Sequence, residues 1–210
     1  LLLATVHAQD RRPLPNGDQV PVLMSELGDE DASVRFRAAA ALQRLGEPLG
    51  LLIHDSLTGS DAARRELAVA QDQRAIPPLV AALEWRNPVM RDAAVRTLQA
   101  IGSRHAVDPL LERLRTGPPQ AQVAAARVLG TLDDERAVGP LVDALAARDR
   151  EVRQAVSSAL GSLGDARAVD PLVEALASPD PGVREAAAGA LGSLGDRRAI
   201  GALVGTLGDP

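Results

Sequence analysis

Apolar and polar positions alternate along this chain at helical spacing, and the alternation itself recurs. In Asp165 to Gly195, DARAVDPLVEALASPDPGVREAAAGALGSLG, the residues Ala168, Val169, Leu172, Val173 and Leu176 fall three and four apart, which puts them on one face of a helix. Val183, Ala187, Ala190, Leu191 and Leu194 repeat that spacing further on. Each unit is expected to be a pair of helices. A shift of 31 residues lays the stretch on Asp134 to Gly164, DERAVGPLVDALAARDREVRQAVSSALGSLG, with the proline, the Leu-Val step and the Val-Arg step coincident. The same shift runs through Pro171, Pro140, Pro109 and Pro78, and through Leu191, Leu160, Leu129, Leu98 and Leu67, without insertion. A period of this size marks a stack of units, none of which buries its apolar face alone.

The turns carry a second pattern. The residue before the first helix is Asp72, Ser103, Asp134, Asp165 or Asp196 in the five aligned copies, each with a side-chain oxygen able to accept from the free amides of a helix start. Between the helices, Asp180 is placed to cap the second helix and Pro181 suits its first turn, as do Asn87 and Pro88. An acceptor and an arginine stand four apart at this turn: Asp31 with Arg35, Asn87 with Arg91, Asp149 with Arg153, Asp180 with Arg184. They are expected to form a structural ladder, the turn acceptor bonding the guanidinium one helical turn on. In the regular copy lacking it both members change together, to Pro118 and Gln122. Joint change is expected, since a buried guanidinium left without its acceptor costs roughly 1–3 kcal/mol.

The string D-x-R-A-V-x-P-L-V-x-A-L, followed by D-x-x-V-R-x-A-A-x-x-A-L-G-x-L-G, resembles the short HEAT-like repeats named after phycocyanobilin lyases. The likeness is close in 72–195, partial in 20–46 and poor in 47–71. It implies an all-α fold: a right-handed α-solenoid, or α-α superhelix, of antiparallel helix pairs with the second helices on the concave side. It also implies use as a protein-binding scaffold. The matching residues are core and turn positions, so they speak to fold more than to chemistry.

The chain divides into a leader and linker over 1–19 and a solenoid over 20–210, with repeats near 20–46, 47–71, 72–102, 103–133, 134–164 and 165–195 and a half repeat at 196–210. Leu1 to Ala8 reads either as the end of a signal peptide, cut after a small residue, or as the last turns of an earlier helix; cytoplasmic and exported locations both stay open. Only 25 residues separate Leu42 from Leu67 where the period asks for 31, so the second copy should bend the stack or leave a notch. At the far end Ile200, Leu203, Val204 and Leu207 are expected to lie uncovered, so either the natural protein continues past Pro210 or this face is itself a docking or self-association surface.

Composition removes several chemistries. There is no cysteine, hence no disulfide, thiolate nucleophile or cysteine-held metal. The net charge is −5 and every one of the 23 basic residues is arginine, a balance that disfavours general nucleic-acid binding, which rests on phosphate neutralisation. No apolar run approaches the roughly 20 residues needed to span a bilayer. His54 and Asp55 are neighbours, but consecutive helical residues point about 100° apart and no serine or second histidine stands at a useful spacing, so both read as structural. His105 reads as a surface residue, and the acidic run Gly28-Asp29-Glu30-Asp31 as caps and turn charges. Gly189, Gly192 and Gly195 lie in a helical pattern and read as close helix packing. Trp85, just before Asn87-Pro88, is open to two readings: a staple of the turn, or an exposed anchor for a partner.

With second helices lining the concave side, one exposed row is Phe36, Asp92, Val123, Gln154 and Glu185, and the next is Ala40, Arg96, Arg127, Ser158 and Gly189. The first four repeats carry its aromatic and its arginines. The expected function is a non-enzymatic scaffold that binds another protein there, with no cofactor and no metal. The alternatives are a bilin lyase or isomerase subunit, from the resemblance, and a HEAT-like DNA-repair protein.

Overall fold

The computed structural model describes residues 19–205; the leader, most of the linker and Leu207 lie outside them. Among the described residues there are α-helices and short 3₁₀ turns and no strand. In chain order the helices are α1 (Val20–Glu26), α2 (Ala32–Arg44), α3 (Leu49–Leu57), α4 (Asp61–Ala70), α5 (Ile76–Ala81), α6 (Pro88–Ile101), α7 (Val107–Thr116), α8 (Pro119–Leu129), α9 (Val138–Asp143), α10 (Arg150–Leu163), α11 (Val169–Ala175), α12 (Pro181–Leu194) and α13 (Ile200–Gly205). The antiparallel pairs α5–α6, α7–α8, α9–α10 and α11–α12 are the regular repeats.

Each first helix begins where the caps place it. Asp72, Ser103, Asp134, Asp165 and Asp196 each accept from the amide two residues on, closing a 3₁₀ turn that leads into the α-helix. The recurring proline is the third residue of α5, α7, α9 and α11, inside the first turn, where a missing N–H breaks no helical bond. Asp31, Asn87, Asp149 and Asp180 cap α2, α6, α10 and α12, while Gly102, Gly164 and Gly195 end the last three in the left-handed region, with φ of 60°, 65° and 64°.

Leu67, Leu98, Leu129, Leu160 and Leu191 are 1%, 1%, 0%, 0% and 1% exposed and belong to one continuous core. Burying such a side chain contributes about 1.5–3 kcal/mol. Successive second helices pack on each other far more extensively than successive first helices do, so the second-helix row is the shorter, inner wall. Alanine and glycine permit this. A Cβ on Gly130 would lie 2.7 Å from the Ala159 Cα, and one on Gly161 2.4 Å from the Ser193 Cβ. The glycines singled out from the sequence behave differently: Gly195 is a left-handed cap, Gly189 meets only Ser157 Oγ, at 3.1 Å, and Gly192 has nothing within 4 Å. Gly192 occupies the place of Gly130 and Gly161, but among the described residues no further second helix stands against it.

The shortened copy produces a notch. Helix α3 packs on α2, α4 and α6, whereas α1 touches α5 directly; a Cβ on Gly28 would sit 2.9 Å from the Ala81 Cβ. The outer row therefore closes over the missing residues. On the inner wall it does not: Ala62 and Glu66 of α4 are exposed, while their equivalents Ala93 and Thr97, Ala124 and Val128, and Ala186 and Ala190 are buried against the preceding second helix. Closure of the outer row decides the two readings of Trp85. It is 3% exposed, its indole N–H donates to the Gly28 carbonyl at 3.0 Å, and the Arg35 guanidinium lies 4.4 Å from the centroid of its ring. Trp85 is a staple, and the anchor reading falls.

The arginines of the turn ladder are built differently from expectation. Their bonds run to carbonyls five and six residues back: Arg35 Nη1 to Asp29 and Glu30, Arg91 Nη1 to Trp85, Arg153 Nη1 to Ala147 and Arg148, Arg184 Nη1 to Ser178 and Pro179. Asp31, Asn87, Asp149 and Asp180 spend their oxygens on the amides of the next helix start. In the odd copy the shorter Gln122 side chain donates instead to the Leu114 carbonyl, eight residues back, at 2.9 Å. A second ladder, unanticipated, links repeat to repeat. Arg136 donates to its own cap Asp134 and to Asp108 and the Arg104 carbonyl of the repeat before. Arg167 bridges Asp165 and Glu135, Arg74 bridges Asp72 and Glu47, and Arg198 bridges Asp196 and the Ala166 carbonyl.

Candidate concave interface

The inner wall displays one side-chain stripe from each second helix, and the sequence rows map onto it unevenly. At its centre Asp92 on α6 accepts from Arg96 of the same helix at 2.7 Å and from Arg127 of α8 at 3.1 Å. The cluster therefore spans two repeats, and Gln99 ties the same helices together by donating to the Arg127 carbonyl at 3.0 Å. Val123, half-buried, packs against the core beneath. Beyond it Arg150 pairs with Glu185 at 3.2 Å, and these two line an open groove of about 340 Å³ with Gln154, Ser158, Gly189 and Ser193.

Phe36 stands apart from both groups. Its ring, 46% exposed, meets His54 of α3 edge-on with centroids 6.0 Å apart, so it flanks the notch. The His54 Nδ1 is buried without a partner; burial lowers the imidazole pKa, with Asp55 pulling the other way and Arg35 pushing further down. The ring is thus held neutral beside a buried cation. Asp29, Glu30 and Asp31 are occupied as caps and turn acceptors, Glu30 taking the Arg86 amide at 2.7 Å, and among the described residues no group of side chains is arranged to hold a metal ion.

The rows drawn from the sequence omit one helix. Gln71, φ 51°, ends α4 in the left-handed region, 31 residues before Gly102 ends α6, and its amide donates to the Ile101 carbonyl at 2.7 Å. Helix α4 is in register with the inner wall, so Asp61 and Arg65, both exposed, stand in line with Asp92 and Arg96. The signal was present in the Leu67 to Leu98 spacing. The irregular loops around it hid the assignment.

Residues 60–121, 107–180 and 148–210 match HEAT repeats, together more than half of the chain. The chain belongs to the HEAT-repeat family. Among solved structures, the HEAT-repeat chain is similar to an engineered protein at 24% identity, covering 89% of this chain and 84% of that one with a TM-score of 0.46. It is also similar to human deoxyhypusine hydroxylase in complex with glycerol at 24% identity, covering 92% and 91% with a TM-score of 0.37. No curated protein sequence matches it. No helix among the described residues of the HEAT-repeat chain is long and apolar enough to cross a membrane.

Proposed function

We propose that this HEAT-repeat protein is a non-enzymatic scaffold that binds another protein on its concave face, through the first four repeats more than the last two. The observation that supports it best is the Asp92–Arg96–Arg127 cluster: charged side chains about half exposed, held across two repeats on a wall of small residues. Such a wall is stiff and already shaped, so little ordering cost attends binding. Affinity capture followed by mass spectrometry identifies the partner. The double variant Arg96→Ala/Arg127→Ala should then weaken its binding by about tenfold or more, as loss of interface arginines does, while Ser158→Ala/Gln154→Ala has little effect. Unchanged affinity in the arginine variant removes the assignment.

The phycocyanobilin-lyase type of repeat, read from the motif, supplies the alternative of a bilin lyase or isomerase subunit. Mixing with a bilin and an acceptor protein and following absorbance separates the two, because only the lyase reading expects a new chromophore band. Self-association through the apolar face of α13 belongs to the same proposal: Ile200 and Val204 are 55% and 60% exposed, and Ile200→Asp should abolish any dimer seen by sedimentation.

A further inference from the structure

The notched joint holds a group that a binding scaffold does not need. Among the described residues two buried side-chain polar atoms lack a hydrogen-bond partner, Arg35 Nε and His54 Nδ1, and they belong to α2 and α3, which pack on each other. Buried polar atoms in native proteins are nearly always paired, so two such atoms at one helix contact single it out. Arg35 is 1% exposed and keeps its charge among carbonyls and the Trp85 ring, with no carboxylate bonded to it. His54 stands across the contact, half-buried, its ring edge-on to Phe36 of α2. A neutral imidazole suits this place. An imidazolium does not: both of its nitrogens carry hydrogen, so Nδ1 becomes a buried donor without an acceptor, and a second cation faces Arg35.

We propose that His54 is an acid-sensitive latch on the first repeat: neutral, it lets α2 lie against α3; protonated, it drives the two apart and frees α1 and α2 from the array. The surrounding charges leave the latch intact. Asp55, next to it on α3, favours the proton and Arg35 opposes it, with burial the largest influence and also opposed. On the other elements packed against α3 the charges are spent elsewhere or face water. Asp61 pairs with Arg64 and Asp92 with Arg96, Arg91 is bonded to the Trp85 carbonyl and Arg37 to that of Ser33, Arg44, Arg65 and Glu66 are exposed, and α5 carries no charge. The closed joint is therefore complete above the free imidazole pKa of about 6.5 and weakens as pH falls below it. Release stays local, because each repeat touches only its neighbours. The Arg35 stack and the bond from Trp85 to Gly28 lie in the same joint and open with it, and Phe36 moves with α2, so the aromatic end of the inner wall comes and goes with pH.

The latch is a property of the joint and stands whatever the inner wall binds. The test is hydrogen exchange followed by mass spectrometry on the whole chain, at about pH 7.5 and about pH 5.5, with each rate divided by that of an unstructured peptide at the same pH. A group that stays neutral when closed and titrates freely when open shifts the opening equilibrium about tenfold at one pH unit below 6.5. Helices α1 and α2 should therefore open about tenfold more often at the lower pH, while 134–195 stays nearly constant. Two variants remove the proton site: His54→Phe keeps an aromatic ring beside Phe36, and His54→Gln keeps a polar one of smaller size. Both should hold the opening of α1 and α2 constant across this range. His105→Gln, at an exposed histidine, should respond as wild type does. The latch is overturned by an α1–α2 pair indifferent to pH, by an equal response in 134–195, by a response that survives in either His54 variant, or by one that is lost in His105→Gln.

Discussion

Arg35 is the side chain on which the joint between the first and third repeats turns. It is 1% exposed and no carboxylate bonds it; Nη1 donates to the Asp29 and Glu30 carbonyls at 2.8 and 2.7 Å, Nη2 lies 3.6 Å from the Met90 sulfur, and the plane covers the Trp85 ring. Burial depresses its pKa, yet an arginine starts so high that the charge remains. Carbonyl dipoles and an aromatic face do what a counter-ion would do. Replacing Arg35 by Met fills similar volume but leaves both carbonyls unsatisfied, so chemical denaturation should show a loss of about 2–4 kcal/mol. Titration enters at the same scale. The Arg167 side chain and amide hold the Asp165 carboxyl down at about 2, and the caps Asp72, Asp134 and Asp196 shift the same way for the same cause, their bonds from Arg74, Arg136 and Arg198. A folded pKa below the unfolded one gives stability that is complete above the unfolded value, about 3.9, and drains away as pH falls toward 2. His54 is also lowered, chiefly by burial, so its share is complete above its unfolded pKa of about 6.5 and lost as pH drops below it. Denaturation midpoints against pH should fall in two stages. His54→Gln should remove the upper stage, and Asp165→Asn should flatten the lower one.

At the scale of the element, the second helices were legible because everything that makes them is local. The 3.6-residue spacing of Val183, Ala187 and Leu191, the cap at Asp180 and the glycine at 195 all act within one turn of the residue they fix. What was not legible depends on where a chain segment arrives from elsewhere. The ladder arginines bond carbonyls five and six residues back because the turn folds those carbonyls over the helix start, while the aspartate four residues back is already committed to capping. Trp85 looked like an edge residue, and it is buried only because six missing residues bring α1 onto α5. Arg65 was hidden because irregular loops around α4 masked a period that Leu67 keeps. Glycines show the same division. Gly130 and Gly192 are alike in sequence context, but a side chain at 130 meets the backbone of α10, which cannot move aside, and one at 192 meets nothing. Gly130→Ala should cost about 1–3 kcal/mol through overpacking. Gly192→Ala should instead stabilise by roughly 0.5–1 kcal/mol, the gain of a better helix former in a helix interior. Urea midpoints for the two single variants, measured side by side, test the contrast.

For the molecule as a whole, stability in a stack is a sum over neighbouring interfaces, and opening at one joint need not spread along the array. The joints are unequal. Between α8, α10 and α12 the inner helices interlock over most of their length, and the outer edge is tied by Arg136 and Arg167 reaching back one repeat. Between 19–46 and the regular array the inner wall is notched, and the outer contact gathers on the Gly28 and Trp85 hydrogen bond and the Arg35 stack. Trp85→Ala removes both at once and empties a site that a large ring filled, a change that costs about 3–5 kcal/mol in a packed core. That loss should stay local. Hydrogen exchange followed by mass spectrometry should show faster exchange across 19–71 and α5 in the variant, with 134–195 exchanging as in wild type. Uniform acceleration over all repeats would mean that the array unfolds as a single cooperative unit despite the notch, and a first repeat as protected as before would mean that α3 and α4, not Trp85, hold it in place.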